Sequence, residues 1–178
     1  MEEFNEEIIE EEKTPLIKKI SIIILSVFLI FLVVSYLLTN SIVRNITVGL
    51  IESEKIKNYE VKINRTNKLI FTQESYNELM DIFDNNKGVE FKACLKGEIK
   101  SGDYYIYLIE IPKTYLQEYN KVIAEPCDEN SLVDMHSHPL KHCLPSEQDL
   151  INFENFKEKN KNGIMAIMCQ RDRFNFYF

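Results

Sequence analysis

The chain has 178 residues, 45% hydrophobic and 28% charged, which suits one folded domain with an appendage and excludes a mainly disordered polymer. Its 28 acidic and 21 basic residues give a net charge of −7, which argues against a protein that coats nucleic acid, so we expect no nucleic-acid partner. The four cysteines show no CxxC spacing, and we interpret them as reduced thiols. They are Cys94, Cys127, Cys143 and Cys169.

The first 43 residues divide into an acidic tail and an apolar segment. Residues 1–19 hold seven glutamates and three lysines, which give −4 of the net −7. Residues 20–43 carry no charge over 24 positions, enough apolar chain for one transmembrane helix. A cleaved signal peptide is the first alternative, but the acidic leader and the length of the segment argue against it. A buried core helix is the second, and it would need a larger surrounding protein.

The charges that flank the span do not decide on which side of the membrane the rest of the chain lies. The basic residues near its two ends almost balance. They are Lys13, Lys18 and Lys19 before it, and Arg44, Lys55, Lys57 and Lys62 after it. Two Asn-x-Thr triplets, at Asn45 and Asn64, would be glycosylation acceptors outside the cell, but such triplets are frequent by chance.

We interpret residues 44–67 as a juxtamembrane connector and residues 68–178 as a folded domain. A helix face is predicted after the N-cap Thr72, because apolar residues follow at helical spacing at Tyr76, Leu79, Met80 and Phe83. Residues 100–103 read as a hairpin turn. Other patterns predict strands over 69–71, 89–99, 104–111, 121–124, 132–138, 164–169 and 173–178, and a helix over 146–159. The fold class is therefore α+β, with a curved, mostly antiparallel sheet and two main helices.

All three histidines of the chain lie in one stretch that looks like a metal site. On a strand, His136 and His138 project from the same face, so two imidazoles can bind one ion. Ser146 stands where the helix would start, and Asp149 lies about one turn further along that helix. Two imidazoles and one carboxylate leave the fourth tetrahedral position of zinc open, which is typical of a catalytic site. We interpret His142, in the intervening loop, as a residue that such a site does not need, and Cys143 likewise.

A hydrolytic site also needs a group that moves a proton, and a carboxylate can do this. Glu90, Glu98 and Glu110 are candidates on predicted strands, and spacing alone does not choose between them. Each piece has an ordinary alternative: exposed strand histidines, a capping box at Ser146 and Asp149, or a solvated glutamate. Their joint occurrence at fixed offsets favours the metal site.

These residues resemble the JAMM motif of the JAB/MPN metallopeptidase family, a glutamate followed at a distance by His-x-His-x7-Ser-x-x-Asp. The spacing from His136 to Asp149 reproduces that motif. Upstream, residues 90–97 resemble the family's E-x-x-G-x-L-x-G strand, with Ala93 where glycine is more usual. The resemblance covers roughly residues 69–178 and implies a JAB/MPN-like (cytidine-deaminase-like) domain with a curved mixed sheet and flanking helices.

The resemblance also implies roles for the residues. His136, His138 and Asp149 would bind zinc, Glu90 would be the general acid/base, and Ser146 would help to stabilise the oxyanion. The substrate would be a peptide or isopeptide bond after a ubiquitin-like protein.

Such a substrate, together with reduced thiols, favours a domain in the cytoplasm, anchored by the segment 20–43. Two alternatives stay open: a membrane-tethered binding module without turnover, and a zinc amidase or deaminase that acts on a small molecule.

Overall fold

The structure is a computed structural model that describes residues 15–139 and 142–178. Most of the predicted acidic tail therefore lies outside the described residues. The chain forms two compact units, one that ends at Ser41 and one that runs from Ile42 to Phe178. Each unit is described by itself below.

The first unit contains one apolar helix, α1 (Leu16–Thr39), of 24 residues. Its mean hydropathy over an 18-residue window is 2.9, and none of that window is buried within the chain. At about 1.5 Å per residue the helix is about 36 Å long, so it is long and apolar enough to cross a membrane. The prediction placed this helix at 20–43, whereas α1 begins four residues earlier and ends at Thr39, before an extended Asn40. Lys18 and Lys19 consequently lie in its first turn.

The second unit is an α+β domain, as predicted, with three helices among its described residues. The helices are α2 (Ser41–Glu52), α3 (Gln73–Asn85) and α4 (Glu147–Lys159). The strands are β1 (Glu54–Lys55), β2 (Glu60–Lys62), β3 (Lys68–Phe71), β4 (Lys92–Lys100), β5 (Asp103–Glu110), β6 (Thr114–Glu118), β7 (Lys121–Ala124), β8 (Ser131–Ser137), β9 (Ile164–Gln170) and β10 (Arg173–Tyr177).

Eight strands form one mixed sheet in the order β1-β10-β9-β8-β4-β5-β3-β2. The pairs β8–β9 and β3–β5 are parallel, and the other pairs are antiparallel. The two edge strands approach each other, because Lys57, two residues after β1, forms an isolated bridge with Glu60 at the start of β2, so the sheet is nearly closed. The hairpin β6–β7 forms a second sheet by itself.

The residues predicted as a connector, 44–67, are part of the second unit. They form most of α2 together with β1 and β2, which pair with β10 and β3 at the edges of the main sheet. Arg173 on β10 holds the end of α2, since its Nη1 donates to the carbonyls of Leu50 at 3.1 Å and Ser53 at 2.9 Å. The domain therefore begins near Ile42 rather than at residue 68.

The hairpin between β4 and β5 is confirmed at the predicted turn. Ser101 and Gly102 both have positive φ, 53° and 93°, as a two-residue turn of type I′ requires. Nearby, Gly97 sits at a bulge where a Cβ would overlap the carbonyl of Tyr105. Glycine at 97 thus permits the close approach of β5 to β4.

One face of the central strands packs into the main apolar core. Ala93 and Leu95 on β4, with Val133 and Met135 on β8, are fully buried there. The helix α3 begins after its N-cap Thr72, whose side chain accepts a hydrogen bond from the Ser75 amide. It covers this core with Leu79, which is fully buried. A smaller cluster lies under α4 on the opposite side of the strands; its buried members are Cys94, Cys127, Phe153, Phe156 and Met165.

All four cysteines are paired, so the prediction of reduced thiols is wrong. One disulfide joins Cys94 on β4 to Cys127, and the other joins Cys143 to Cys169 on β9. The partners are 33 and 26 residues apart in the chain, but their Cα atoms lie 5.5 and 5.1 Å apart. Because the sheet brings them together, no short sequence pattern could have indicated the pairing.

Candidate metal centre

Strand β8 carries the centre of the site, because alternate residues of a strand face the same side. Asp134 and His136 share the face opposite the main core, and His138 follows in the same direction one residue beyond the end of the strand. Each of the two histidines has only 7% of its surface exposed, and the ring centroids are 4.9 Å apart. The two histidines therefore form one pair at the end of β8.

Asp149 reaches the histidines from the first turn of α4. Ser146 is the N-cap of this helix, and a capping box links it to Asp149. The backbone amide and the hydroxyl of Ser146 both donate to Oδ2 of Asp149 at 2.7 Å. The capping box that we considered as an alternative is thus present together with the metal-site arrangement, and it fixes the carboxylate in place.

The three candidate ligand atoms converge on one point. Oδ2 of Asp149 lies 3.3 Å from Nε2 of His136 and 3.6 Å from Nε2 of His138, and the three atoms all lie within 4.8 Å of one another. Ligands about 2.0–2.1 Å from a tetrahedral ion are separated by about 3.4 Å, which is close to the two distances from Asp149, so the spacing suits a small tetrahedral cation. Nε2 of His136 is buried and makes no hydrogen bond. A buried nitrogen without a partner is costly, and an ion would satisfy it. These residues could hold a metal ion.

Glu90 is the candidate carboxylate that lies next to this group. Its Oε1 is 3.8 Å from Nε2 of His138, and its side chain is 13% exposed. Its backbone amide donates to the carbonyl of Glu118 at the end of β6. The next residue, Phe91, exchanges hydrogen bonds with Ser137, which lies between the two histidines. Glu90 is therefore held by both the hairpin and β8.

The other two carboxylates considered from the sequence lie elsewhere. Glu98 pairs with Lys100, and Glu110 pairs with Lys96, in exposed positions on β4 and β5. Neither forms an ion pair with a histidine. The geometry thus selects Glu90, a choice that sequence spacing did not make.

The buried charges shift one another's protonation. Burial raises the pKa of the Glu90 carboxyl, although His138 and His136 oppose the shift. Burial would also raise the pKa of Asp149, but the two imidazoles beside it hold the pKa well below its usual range. Burial lowers the pKa of His138, but Asp149 and Glu90 outweigh it and raise the pKa above its ordinary value. Asp149 is therefore a carboxylate ready to bind a cation, whereas Glu90 can accept and release a proton.

The loop between the two parts of the site contributes its backbone rather than a ligand. The carbonyl of His142 lies 2.8 Å from Nδ1 of His138. Since a carbonyl only accepts, Nδ1 carries the proton and Nε2 is left free to bind metal. Cys143 is in a disulfide, so it has no thiolate to offer as a ligand. The interpretation of His142 and Cys143 as non-ligands agrees with this geometry.

A buried ion pair beside the histidines was not foreseen. Lys92 on β4 contacts Asp134 on β8, with Nζ 2.9 Å from Oδ2 and the side chains 14% and 9% exposed. Both residues line the same cavity as the candidate ligands. The alternation Asp134-x-His136-x-His138 places the acid on the site face, but only the pairing of β4 with β8, which sets Lys92 opposite His136, brings Lys92 within reach of Asp134.

The site opens into a cavity of about 710 Å³. The candidate ligands line it, and so does β7 with the turn before it, including Tyr119 and Asn120. Among the described strands β7 pairs only with β6, so its other edge has no strand partner. An open cavity next to a free strand edge can accept an extended chain.

Comparison with known proteins adds no family assignment. No protein-family model matches the chain, and no curated protein matches it significantly. The case for its chemistry therefore rests on the residues of the site.

Proposed function

We propose that the chain is a membrane-anchored, JAMM-type zinc metallopeptidase with a JAB/MPN-like domain. It hydrolyses a peptide or isopeptide bond in an extended chain segment. This segment is the C-terminal tail of a ubiquitin-like protein or a similar peptide. The observation that carries the proposal is the convergence of His136, His138 and Asp149 on one point, with Glu90 beside them at an open cavity.

The ligand set supports a catalytic rather than a structural ion. Three protein ligands leave one position for water or substrate, whereas structural zinc sites have four. When bound, zinc supplies a Lewis acid that polarises an amide carbonyl and lowers the pKa of water. The residues of the chain would hold this ion without any contribution from cysteine, because all four are paired.

Glu90 is the proton carrier of the proposed reaction. Its carboxylate takes a proton from the attacking water and delivers it to the leaving amine. The raised pKa of Glu90 brings it closer to the pH at which it can do both. In the structure the Ser146 hydroxyl donates a hydrogen bond to Asp149, and this hydrogen bond positions the Asp149 carboxylate as a ligand. Stabilisation of an oxyanion by Ser146 would require this hydroxyl to turn towards the substrate.

The free edge of β7 supports a peptide substrate over a small molecule. An extended segment paired with β7 would be held by main-chain hydrogen bonds, and β7 lines the same cavity as the candidate ligands. The hairpin also fixes Glu90 through the carbonyl of Glu118. The strand that would hold the substrate and the strand that holds the base are therefore the two halves of one hairpin.

The disulfides bear on which side of the membrane the domain lies. Disulfides persist mainly in oxidising compartments. The basic residues on the two sides of the span almost balance, but Lys18 and Lys19 in the first turn of α1, taken by themselves, favour an N-terminus in the cytoplasm. We therefore place the domain outside the cytoplasm, opposite to the side favoured when the cysteines were interpreted as thiols, and on this side a similar peptide is favoured over a ubiquitin-like protein as the substrate. Digestion of the domain by protease added outside intact cells would agree, and digestion only after lysis would contradict it.

The test of the proposal is the metal content of the full chain in detergent, beside His138→Ala. We expect about one zinc per wild-type chain, and loss of zinc from the variant. His142→Ala is the matched control, because it removes a nearby imidazole but leaves the backbone carbonyl. Cobalt in place of zinc gives a visible spectrum that reports tetrahedral binding.

Turnover is measured on the same preparations with ubiquitin-like fusions and extended peptides. Cleavage that stops on chelation and returns with zinc supports the metallopeptidase. A folded chain that takes up no zinc would overturn the proposal. Zinc binding with tight partner capture and no cleavage would favour the binding module, and cleavage confined to small amides would favour the amidase.

A further inference from the structure

The segment between His138 and α4, of which the structure describes Pro139 and residues 142–146, joins the two parts of the candidate site. His138 lies immediately before it, and Asp149 follows in the first turn of α4. Within this loop Cys143 is fully buried, with none of its surface exposed. A disulfide links Cys143 to Cys169 on β9. Since β9 pairs in parallel with β8, this bond ties the loop to the sheet next to the strand that carries His136.

The residue next to Cys143 orients a candidate ligand. The carbonyl of His142 accepts the proton of Nδ1 of His138 at 2.8 Å. This hydrogen bond fixes both the tautomer and the rotation of the imidazole, so Nε2 points towards Asp149. The position of the His142 carbonyl in turn depends on the backbone at Cys143, one peptide bond away.

Three further contacts meet the backbone of Cys143. Its carbonyl accepts from Nδ2 of Asn175 at 3.1 Å and from the hydroxyl of Tyr177 at 3.3 Å, both on β10. Gly49 of α2 packs against its other side, where a Cβ would lie 2.9 Å from the Cys143 nitrogen. Each neutral hydrogen bond contributes only about 0.5–1.5 kcal/mol, so the covalent link is the strongest of these constraints.

The second disulfide offers a natural comparison. Cys94 and Cys127 lie in the apolar cluster under α4, outside the segment that carries His142 and Cys143. It closes a loop of similar length, with a separation of 33 residues against 26. The chain-entropy contribution of the two disulfides to stability should therefore be nearly equal, because it varies only with the logarithm of loop length.

We propose that the Cys143–Cys169 disulfide is a positioning device for His138, so that the candidate metal centre binds its ion tightly only when this disulfide is formed. This inference rests on the proposed function, because it concerns the same metal centre. It makes Cys143 and Cys169 positioning residues that act through the His142 carbonyl, and it assigns no such role to the other disulfide.

The experiment compares Cys143→Ser/Cys169→Ser with Cys94→Ser/Cys127→Ser in the full chain. Zinc affinity is measured by competition with a chromophoric chelator, and the geometry of the site by the visible spectrum of bound cobalt. Loss of an outer partner of a metal ligand typically weakens metal binding about 10–100-fold, and we expect a loss of this size with an altered spectrum in the first variant only. Both variants should melt at a lower temperature, by similar amounts.

Two outcomes would overturn the inference: unchanged zinc affinity and cobalt spectrum in the first variant, or an equal loss in both. Failure of the wild-type chain to bind zinc would instead overturn the proposed function.

If the first variant does not fold, the folded control variant, which keeps only Cys143–Cys169, is treated with a phosphine and then alkylated. The phosphine becomes its oxide, with oxygen from water, as the disulfide becomes two thiols, and unchanged zinc affinity after this treatment also overturns the inference.

Discussion

The two faces of the central sheet differ in chemistry although the same strands form both. Along β8, Val133 and Met135 point into the main apolar core, whereas Asp134 and His136 alternate with them on the face of the candidate site. All four side chains are buried. One face is thus filled with apolar groups, and the other buries charges that need partners.

Because of this difference, we expect the core face to determine mainly the stability of the fold, and the site face to determine mainly the chemistry. Burial of apolar area stabilises the fold by about 25 cal/mol per Å², so the core face contributes to stability directly. Buried charges lose hydration, and on the site face this loss is offset only by specific partners such as the ion pair of Lys92 with Asp134. Substitutions on the two faces should therefore have different consequences, and four predictions, made with three substitutions, test the contrast.

The largest effect is expected for Glu90→Gln. Loss of a positioned acid/base group typically lowers the rate about 10²–10⁴-fold, whereas zinc content should not change because Glu90 is not one of the three ligands. The measurement is turnover per bound zinc. Glu110→Gln is the control, because Glu110 is an exposed carboxylate that pairs with Lys96. Wild-type turnover in Glu90→Gln would remove Glu90 from the mechanism.

Asp134→Ala should be the most destabilising of the substitutions on the site face. It leaves the ammonium of Lys92 buried without its partner, which typically costs about 3–5 kcal/mol in unfolding free energy. Denaturant unfolding measures this loss. The control is Asp172→Ala, whose partner Lys55 is half exposed, so its loss should be below about 1 kcal/mol. Equal losses in the two variants would show that the Lys92–Asp134 pair is not special.

On the core face, Met135→Ala should lower stability by about 2–5 kcal/mol, since the side chain is fully buried in the main core. Zinc per folded chain and turnover per bound zinc should stay near wild type, because Met135 points away from the ligands. Unfolding free energy and zinc content are measured on the same preparation. A fall in zinc affinity at full folding would break the contrast between the faces.

The smallest effect concerns pH and the metal-free domain. Burial raises the pKa of Glu90 above its value in the unfolded chain, so the folded domain is more stable when Glu90 is protonated. The free energy of unfolding therefore falls as the pH rises through the pKa of Glu90 in the folded domain. Metal-free Glu90→Gln should therefore be more stable than wild type at neutral pH, and the difference should vanish below the ordinary pKa of glutamate. Unfolding at several pH values measures it. An advantage that persists in acid would point to a cause other than charge.

Much of the fold could be predicted from periodicity, because α3, the hairpin β4–β5 and β8 are long enough to show it. The edge strands β1 and β2 could not, since two or three residues give no period, and their place depends on β10 and β3. The strand β6 was also missed. Its residues are mostly exposed on both faces, so the sequence shows no alternation of polar and apolar residues there.

The candidate site shows the same division between local and distant information. His136, His138 and Asp149 were predicted because strand and helix spacing brings them together over 14 residues. Glu90 came from a resemblance, and only the pairing of β4 with β8 shows that it lies beside His138. The disulfides depend on the whole sheet, which is why no local sequence pattern indicates them.

The capping box at the start of α4 has a further consequence for local unfolding. Oδ2 of Asp149 accepts from the amide of Ser146 and is also the oxygen nearest to both histidines. An ion bound there would hold the carboxylate and, through it, the first turn of the helix. Amide hydrogen exchange at Ser146 and Asp149 should therefore slow when metal binds, so two backbone protons would report the occupancy of the site without any substrate.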